Sequence, residues 1–520
     1  MSQAIPAVTD TRGNAYRPWP ALFALCLGFF MILVDTTIVS VATPAIIEDL
    51  DAEVNSVIWV TSAYLLAYAV PVLITGRLGD RYGQKYLYMV GLVVFTLSSL
   101  WCGLTASVEW LIVARVFQGV GGALMTPQTM ATITRIFPTE SRGKAMALWG
   151  ATAGVAMLVG PILGGVLVDA LGWEWIFFVN VPVGAVGLYL AWRLVPLLET
   201  HPHRFDWLGV ALSGVGMFLL VFGIQEGHQY DWGTIAGPIT VWSLIIGGIA
   251  VLGAFLIWQR RNTREPLVPL GLFGDRNFSI ANVAITAMGF AATAMAFPLM
   301  LYAQLVRDMS PTQAALLLTP MALMTLVLAP VVGRLTDVVH PRYLTGAGFA
   351  VLALSMLWLI SLMDPGSSLW TILVAMAFFG VGNAFVWSPN SATATRNLPM
   401  HQAGAGAGIY NATRQVGSVL GAAVVAVLMD SRLAAQGLAF QPAGETTGGA
   451  LPAAVLAPFS DAMAQAMLIV PAAFLVGFVA VLFFQRPGHQ VLRTPVGETG
   501  GTVPEEMAAF RPGRPDPQVG

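Results

Sequence analysis

Charged side chains are scarce in this sequence. Asp, Glu, Lys and Arg make up 10% of the 520 residues, 56% are hydrophobic, and the mean hydropathy is +0.73. A soluble domain carries about 25% charged residues. The composition therefore excludes an ordinary soluble protein and indicates a polytopic membrane protein. The net charge of −2 argues against a nucleic-acid partner.

Cysteine and lysine are also rare. Cys26 and Cys102 both fall in apolar segments, so we expect free, buried thiols instead of a disulfide framework. Lys85 and Lys144 lie outside any G-x-x-x-x-G-K-[ST] loop, which argues against a pump driven by nucleotide hydrolysis. The apolar stretches hold one clear mid-span acid and no histidine. We therefore expect no enzyme active site, no metal site and no cofactor.

Long apolar stretches make up most of the sequence. Stretches of about 20 apolar residues predict transmembrane helices. We place fourteen spans, centred near residues 31, 67, 96, 121, 157, 184, 217, 248, 290, 323, 352, 380, 417 and 474. Of the 25 Lys and Arg residues, 21 fall in segments on the side of both termini, and only Arg307 and Arg432 fall on the other side. Because positive residues accumulate in cytoplasmic loops, both termini are predicted to be cytoplasmic.

An internal repeat divides the chain. GRLGDRYGQKY, residues 76–86, follows the second span, and GRLTDVVHPRY, residues 333–343, follows the tenth, 257 residues later. The same displacement of 257 residues aligns VGPILGG, 159–165, with VGSVLGA, 416–422. Each half therefore has six spans that enter the membrane in the same direction. This predicts five sections: a cytoplasmic tail 1–18, a six-helix bundle 19–194, linkers with two additional spans 195–277, a second six-helix bundle 278–485, and a disordered cytoplasmic tail 486–520.

Five motifs resemble those of the major facilitator superfamily, and in particular its fourteen-span drug/proton antiporters of the quaternary-ammonium and multidrug efflux type. They are GRLGDRYGQK after span two, RVFQGVGGA (115–123) in span four, GATAGVAMLVGPILGG (150–165) in span five, LVDTTIVSVATPAI (33–46) in span one and NATRQVGSVLG (411–421) in span thirteen. The resemblance covers residues 19–485. It departs from the family at Glu174, where a basic residue is usual between two tryptophans.

The resemblance implies an all-α membrane protein with the major facilitator fold: two parallel-repeat six-helix bundles plus two extra helices between them. It implies a monomeric, multi-pass protein of a bacterial plasma membrane. The function implied is proton-coupled export of small amphipathic organic compounds, cationic or lipid-like, by alternating access. The proton gradient takes the place of a cofactor. The alternative is an exporter or flippase of a lipid, or of an endogenous antibiotic or metabolite, with the same fold.

Asp35 is the mid-span acid, near the centre of span one. A charge there costs about 2.5 to 3.5 kcal/mol, so Asp35 should face a wet cavity or a partner. Such a carboxylate can exchange a proton for a cationic substrate, and we expect it near the cavity shared by the halves. Arg115 is the natural partner, with Gln118 one turn further on. The alternatives are a structural acid bonded to nearby threonines or a neighbouring helix, and an arginine that extends to the interface.

Arg414, in span thirteen, is a further candidate for substrate contact or gating. Its alternative is a position near the cytoplasmic side. We group it with Asp35, Arg115 and Gln118 as residues for proton and substrate coupling.

The resemblance implies two further sets that act between the halves. In the family the charged turn is a cytoplasmic latch, and the repeat of the turn in this sequence favours that role. Asp80 can cap a helix or pair with an arginine; the alternative is a simple positive-inside hairpin. The latch set is Gly76, Arg77, Asp80, Arg81, Gly83, Lys85, Arg334 and Asp337. Small residues and a proline in span five predict close packing or a bend where the halves meet. The span-five set is Gly150, Gly154, Gly160, Pro161, Gly164 and Gly165.

Overall fold

The computed structural model describes residues 8–9, 15–52, 54–138, 141–200, 206–227, 230–262, 266–399, 402–438 and 452–486. Most of the two predicted tails lies outside these residues. The described chain is almost wholly helical, because a backbone within lipid must satisfy its own hydrogen bonds. Two antiparallel hairpins are the exceptions: β1 (Val8–Thr9) with β2 (Ala15–Tyr16), and β3 (Thr234–Ala236) with β4 (Ile239–Thr240).

The described residues form eighteen α-helices, which fall into three groups along the chain. The first group is α1 (Pro18–Asp49), α2 (Val54–Ala69), α3 (Val72–Tyr82), α4 (Gln84–Leu104), α5 (Val108–Ile136), α6 (Arg142–Leu171), α7 (Trp175–Phe178) and α8 (Asn180–Leu194). The second is α9 (Trp207–Gln225) and α10 (Val241–Arg261). The third is α11 (Arg276–Leu301), α12 (Pro311–Leu316), α13 (Thr319–Val338), α14 (Pro341–Ser361), α15 (Leu369–Arg396), α16 (Ala403–Ala435), α17 (Ala453–Ala466) and α18 (Ile469–Val481).

Fourteen spans account for these helices, as predicted. Thirteen described segments are long and apolar enough to cross a membrane, and a fourteenth arises when α2 and α3 are joined across a 46° bend. Pro71 lies at that bend. A proline there lacks a backbone donor and its ring clashes with the preceding turn, so the span kinks.

The packing separates two halves with two helices beside them. In the N-terminal half α1 packs on α6 and α8, and α5 packs on α2 and α4; in the C-terminal half α11 packs on α16 and α18, and α14 on α15 and α18. The additional helices α9 and α10 pack on each other, and α9 also contacts α2 and α16. This is the arrangement expected of two six-span bundles with two extra spans.

The halves meet through pairs of helices that the repeat relates to each other. Span two contacts span thirteen through α3 and α16, and span five contacts span ten through α6 and α13. Since span two repeats as span ten and span five as span thirteen, the same contact is made twice, as a two-fold axis along the membrane normal requires. At one of these contacts a Cβ on Gly76 would lie 2.5 Å from the Gly404 carbonyl oxygen, so only glycine permits this approach.

We call one end of the bundle the basic face. It carries the turn at Gly83, the turn at Val339 and His340, and the first residues of α6 and α16. Gly83 has φ +93°, a backbone conformation that favours glycine, and it separates α3 from α4.

Candidate functional site

Asp35 and Arg115 form an ion pair that is closed to solvent. Arg115 Nη1 lies 2.5 Å from Asp35 Oδ2, and both side chains are 0% exposed. Arg115 Nε donates to the Val60 carbonyl oxygen at 3.1 Å, and the guanidinium carbon lies 4.1 Å from the centroid of the Tyr64 ring. The predicted pairing is therefore present in the structure. Arg115 does not extend to the membrane interface, because its whole side chain is buried.

Three neutral side chains complete a network around the carboxylate. Gln118 Nε2 donates to Asp35 Oδ1 at 2.8 Å, and Asn180 Nδ2 donates to the same oxygen at 3.1 Å. Both amides also donate to Ser99 Oγ, at 3.2 Å and 2.9 Å. Arg115 Nη1 donates to Gln118 Oε1 at 2.8 Å, which fixes the orientation of that amide. Each Asp35 oxygen therefore has a donor from α5, and one has a second donor from α8.

Local packing brings α5 close enough to make these contacts. Gly119 follows Gln118, and a Cβ at Gly119 would collide with the Tyr64 carbonyl oxygen of α2. The glycine therefore lets α5 approach α2 at the level of the ion pair. Beyond the pair, on the side away from the basic face, Leu111, Trp173 and Phe177 are buried in one apolar cluster.

The expectation that Asp35 lies near the cavity shared by the halves is wrong for this conformation. Its partners come from α5 and α8, which together with α1 lie within the N-terminal half. A buried carboxylate needs several donors, and the packed helices of one half supply them more readily than a shifting interface between halves could. Asp35 is therefore enclosed among α1, α5 and α8 in this conformation and is closed to solvent.

Arg414 does not join this site. It lies on α16 in the C-terminal half, is half-buried, and has no hydrogen-bond partner in the described part of the chain. Its grouping with Asp35, Arg115 and Gln118 is therefore not supported by contact. Its neighbour Asn411 does reach the other half: Asn411 Nδ2 donates to the Ala407 carbonyl oxygen at 2.9 Å and lies 3.8 Å from Met130 Sδ of α5.

Asp80, in the N-terminal half, joins the two halves at the basic face by capping a helix of the C-terminal half. Its two carboxylate oxygens accept from the backbone N–H groups of Gly404 and Ala405, each at 2.9 Å, at the start of α16. Those N–H groups have no partner within their own helix, and a carboxylate also interacts favourably with the helix dipole. Gln84 Nε2 donates to Asp80 Oδ1 at 3.2 Å and Arg135 Nη1 donates to Gln84 Oε1 at 3.0 Å, which positions the carboxylate.

Asp337 makes the corresponding contact in the opposite direction. Its Oδ1 accepts from the Gly143 N–H at 3.1 Å, at the start of α6 in the N-terminal half. Arg396 Nη2 lies 3.7 Å from the same oxygen. The repeat at 80 and 337 thus corresponds to two reciprocal caps, each joining the halves.

The other residues of the predicted latch have different neighbours. Arg77 donates from Nε to the Leu267 carbonyl oxygen at 3.2 Å, in the segment that precedes α11. Lys85 Nζ donates to the Trp192 carbonyl oxygen at 2.7 Å, within its own half, and the Arg81 guanidinium lies 5.2 Å from the Tyr82 ring. Arg334 is exposed. The two acids therefore carry the contacts between halves that the structure shows most clearly.

The small residues of span five pack against helices of both halves. A Cβ at Gly150 would meet Trp387 of α15, and one at Gly154 would lie 3.6 Å from Thr325 of α13, both in the other half. A Cβ at Gly160 would instead collide with Thr37 of α1. Pro161 lies inside α6, and further along a Cβ at Gly165 would lie 3.1 Å from Thr312 of α12. Gly164 is buried in the same helix.

Several residues at these sites were not predicted from the sequence. Ser99 and Asn180 gave no signal, because uncharged polar residues are common in apolar spans. Arg142 is buried and joins the halves by donating from Nη1 to the Thr395 carbonyl oxygen at 2.9 Å. Arg135 and Arg396 could have been found, since TRIFP (134–138) and TRNLP (395–399) share Thr, Arg and Pro at the ends of spans four and twelve, at a displacement of 261 residues.

Both cysteines are free and buried, as predicted. No group of three or more His, Cys, Asp or Glu side chains that could hold a metal ion occurs within the described ranges.

Comparisons with known proteins agree with this architecture. The chain matches the family model described as Major Facilitator Superfamily over residues 25–422. An uncharacterized MFS-type transporter of Mycobacterium tuberculosis (strain ATCC 25618 / H37Rv) is 50% identical over 509 residues, which cover 96% of this chain and 87% of the relative. The tetracenomycin C resistance and export protein of Streptomyces glaucescens is 34% identical over 429 residues, which cover 82% and 79%.

Solved structures share the fold at low sequence identity. The human organic anion transporter MFSD10 (TETRAN) has a TM-score of 0.62 at 13% identity, covering 89% of this chain and 99% of that chain. The proton:xylose symporter XylE has a TM-score of 0.59 at 15% identity, covering 90% and 94%. The chain therefore belongs to the Major Facilitator Superfamily and is a multi-pass membrane transporter, not an enzyme.

Proposed function

We propose that this transporter exports small amphipathic organic compounds in exchange for protons, by alternating access. The observation that carries the proposal is the Asp35–Arg115 pair: an acid and a base, both 0% exposed, near the middle of a transporter half. An intramembrane ion pair of this kind is costly to build, and in transporters such residues commonly serve proton relays. Asp35 is the group that can gain and lose a proton, because a guanidinium stays charged.

Protonation of Asp35 changes the charge balance of the network. Asp35 then no longer neutralises Arg115, and a buried charge without its partner destabilises a fold by about 3 to 5 kcal/mol. The network relieves this by rearranging, and α1 and α5 move with it because they carry Asp35, Arg115 and Gln118. Since α1 packs on α6 and α5 packs on α16, the rearrangement reaches the contacts between the halves.

The position of the network suits proton entry from the side opposite the basic face. Arg115 is seven residues from the start of α5, about 10 Å at 1.5 Å per residue, and that start lies on the opposite side. We propose that the basic face is cytoplasmic, as the Lys and Arg distribution predicts. Protons then enter down their gradient, and each charge moved contributes about 2.3 kcal/mol per 100 mV.

The caps made by Asp80 and Asp337 act as the latch of the basic face in this scheme. They hold α16 and α6 against the opposite halves while that face is shut. The cavity between α6, α13 and α15 is then only about 10 Å³, at the lower limit for one water molecule. Substrate binding from the cytoplasm requires these caps to break and the halves to separate.

The relatives favour a drug-like or antibiotic-like substrate. They include a multidrug resistance protein, Stp, of Mycobacterium tuberculosis, a probable actinorhodin transporter of Streptomyces coelicolor and a cephamycin export protein of Amycolatopsis lactamdurans. Export of a metabolite related to these antibiotics is therefore the second candidate function, and it uses the same mechanism.

Transport by the purified protein in liposomes tests the proposal. We expect ethidium, a planar organic cation, to accumulate inside vesicles whose lumen is more acidic than the bath, and to leak out when a protonophore collapses the gradient. An antibiotic of the actinorhodin type should compete with ethidium. Equal uptake with and without the gradient would show that transport is not proton-coupled.

A further inference from the structure

A groove on the C-terminal half lies away from both the buried ion pair and the helix caps. It runs between α11, α16 and α18 and has a volume of about 660 Å³. Its walls are mostly apolar side chains, among them Val283, Ala287, Phe290, Ala472 and Val476. Val283 and Val476 are exposed, so the groove opens to the surface that faces the bilayer.

The polar residues of the groove are already bonded to each other. Thr413 Oγ1 donates to Asn282 Oδ1 at 2.9 Å, and Asn282 Nδ2 donates to the Phe278 carbonyl oxygen at 2.8 Å. Thr286 Oγ1 donates to the Asn282 carbonyl oxygen at 2.8 Å. Because these donors are occupied within the protein, the groove favours a hydrocarbon chain over a polar ligand.

The groove continues to the basic face. A second cavity of about 510 Å³ shares Phe273, Ser279 and Val283 with the first, and it reaches Arg276 and Phe483. From Phe290 to Arg276 the α11 helix rises about 21 Å, at 1.5 Å per residue. Half of a hydrocarbon core of about 30 Å is about 15 Å. The continuous groove therefore has the depth of one leaflet plus part of its headgroup layer.

Arginines surround the end of the groove at the basic face. The Arg276 guanidinium carbon lies 5.8 Å from the Phe483 ring, and Arg486 follows three residues later. Arg342 is the second residue of α14, which packs on α18. Burial lowers the pKa of His340, in the turn before α14, and the charges of Arg486 and Arg342 lower it further.

One acid, Asp275, directly precedes Arg276 in the sequence. The adjoining acid, Asp275, is engaged by the Phe278 N–H at 2.7 Å and by Asn397 Nδ2 at 2.8 Å. Arg276, Arg342 and Arg486 are all exposed. A positive end on an apolar groove matches a ligand with an anionic head and a hydrocarbon tail.

We propose that this groove binds an anionic phospholipid of the leaflet at the basic face. One acyl chain lies between α11 and α18, against Ala287 and Ala472, and the phosphate lies at Arg276 and Arg486. Uncharged phospholipids with the same chains bind more weakly, because the arginines attract the net negative charge.

Competitive lipid binding to the purified full-length protein tests the headgroup. Phosphatidylglycerol and phosphatidylcholine with identical chains are titrated in detergent and bound lipid is counted by native mass spectrometry. We expect tighter binding of phosphatidylglycerol, and a loss of about twenty-fivefold in its affinity in the variant Arg276→Gln/Arg486→Gln, since each arginine contributes about fivefold. The control Arg260→Gln/Arg261→Gln removes two exposed arginines at the same face, at the end of α10, and should bind like wild type.

A second variant tests the chain. Ala472→Phe places a ring from an exposed position into the groove and should weaken binding of both lipids, whereas Leu354→Phe, on an exposed site of α14, should not. Equal affinity for the two lipids, or unchanged phosphatidylglycerol binding in the double arginine variant, overturns the proposal. Unchanged binding in Ala472→Phe also overturns it, since the chain then lies elsewhere.

Discussion

At the scale of single residues, Asp35 and Arg115 matter because neither charge can be buried alone. A buried pair contributes little net stability, since desolvation offsets the attraction, but removing one partner leaves an uncompensated charge. Here the remaining charge would lie in a network whose other members, Ser99, Gln118 and Asn180, are neutral. The pair therefore makes stability depend on the proton state of Asp35.

Removing one charge should cost more than removing both. We expect Arg115→Gln to lower the free energy of unfolding by about 3 kcal/mol or more, and Asp35→Asn/Arg115→Gln to recover part of that loss. Thermal unfolding in detergent, followed by tryptophan fluorescence, measures these two variants and the single variant Asp35→Asn. A double variant as unstable as the sum of the two single variants would show that the pair does not act as a unit.

Glu226 offers a residue-scale test outside the transport site. It follows α9, is 3% exposed, and its Oε2 has no hydrogen-bond partner in the described structure. Burial raises the pKa of this carboxyl above its ordinary value. The folded protein then binds a proton more tightly than the unfolded chain does, so this group's contribution to stability falls as the pH rises through the raised pKa.

Glu226→Gln should therefore stabilise the protein at pH 7 and have little effect at about pH 3, where the carboxyl is protonated in both states. The gain at pH 7 is of the order of 1 kcal/mol, typical of an unsatisfied buried polar group. Melting temperatures at the two pH values measure it. Glu109→Gln, an exposed acid in the first turn of α5, is the control and should show no gain at pH 7.

At the scale of elements, the reciprocal helix caps explain why the charged turn occurs twice. Asp80 caps α16 and Asp337 caps α6, so each half holds a helix of the other. Such caps are worth about 0.3 to 1 kcal/mol each, and up to about 2 when partly buried. Two contacts of this size can hold the basic face shut and still be broken in a transport cycle.

The caps can be tested by the accessibility of a residue behind them. Ala147 of α6 is 4% exposed and packs on α13, so Ala147→Cys should react slowly with a maleimide. Adding Asp337→Asn should raise the labelling rate by about fivefold, the effect of losing about 1 kcal/mol. The native cysteines are buried and give the background rate.

Asp206→Asn is the matched control for that experiment. Asp206 also caps a helix, accepting from the Gly209 N–H at 2.9 Å, but its other partners, Trp258 and Gln259, are on the neighbouring α10. Because this cap does not join the halves, labelling of Ala147→Cys should not change. Equal acceleration by both variants would mean that Asp337 stabilises the fold in general and does not latch the basic face.

The sequence could identify the two acids of the proposed latch but not what they touch. The repeat identified Asp80 and Asp337, because the same charged pattern recurs after spans two and ten. Their partners are backbone N–H groups at Gly143, Gly404 and Ala405, which carry no side-chain signature. The same limit applies to Asn180, whose position beside Asp35 depends on how α8 packs against α1.

At the scale of the whole molecule, the fold was predictable because lipid restricts it so strongly. Fourteen apolar stretches and a repeat displaced by 257 residues were enough to predict two parallel six-span halves with two added spans. The placement of Asp35 was not predictable in the same way. A mid-span acid can face a cavity or a partner, and only the packing of α1, α5 and α8 shows that it is enclosed within one half.

This enclosure makes the proposed mechanism indirect. A proton on Asp35 acts through α1 and α5 on α6 and α16, and so on the caps at the basic face. Substrate binds between the halves and need not touch the acid. Coupling can therefore be lost while the substrate pathway stays intact.

Transport by Asp35→Asn in liposomes is the decisive measurement for indirect coupling. Wild type and the control Asp49→Asn are measured beside it, and Asp49 lies at the exposed end of α1. Two modes are compared: accumulation of ethidium driven by a pH gradient, and exchange of labelled for unlabelled ethidium without one. We expect Asp35→Asn to lose gradient-driven accumulation but keep exchange, whereas Asp49→Asn keeps both. Accumulation by Asp35→Asn with an unchanged dependence on the proton gradient would rule out Asp35 as the coupling residue.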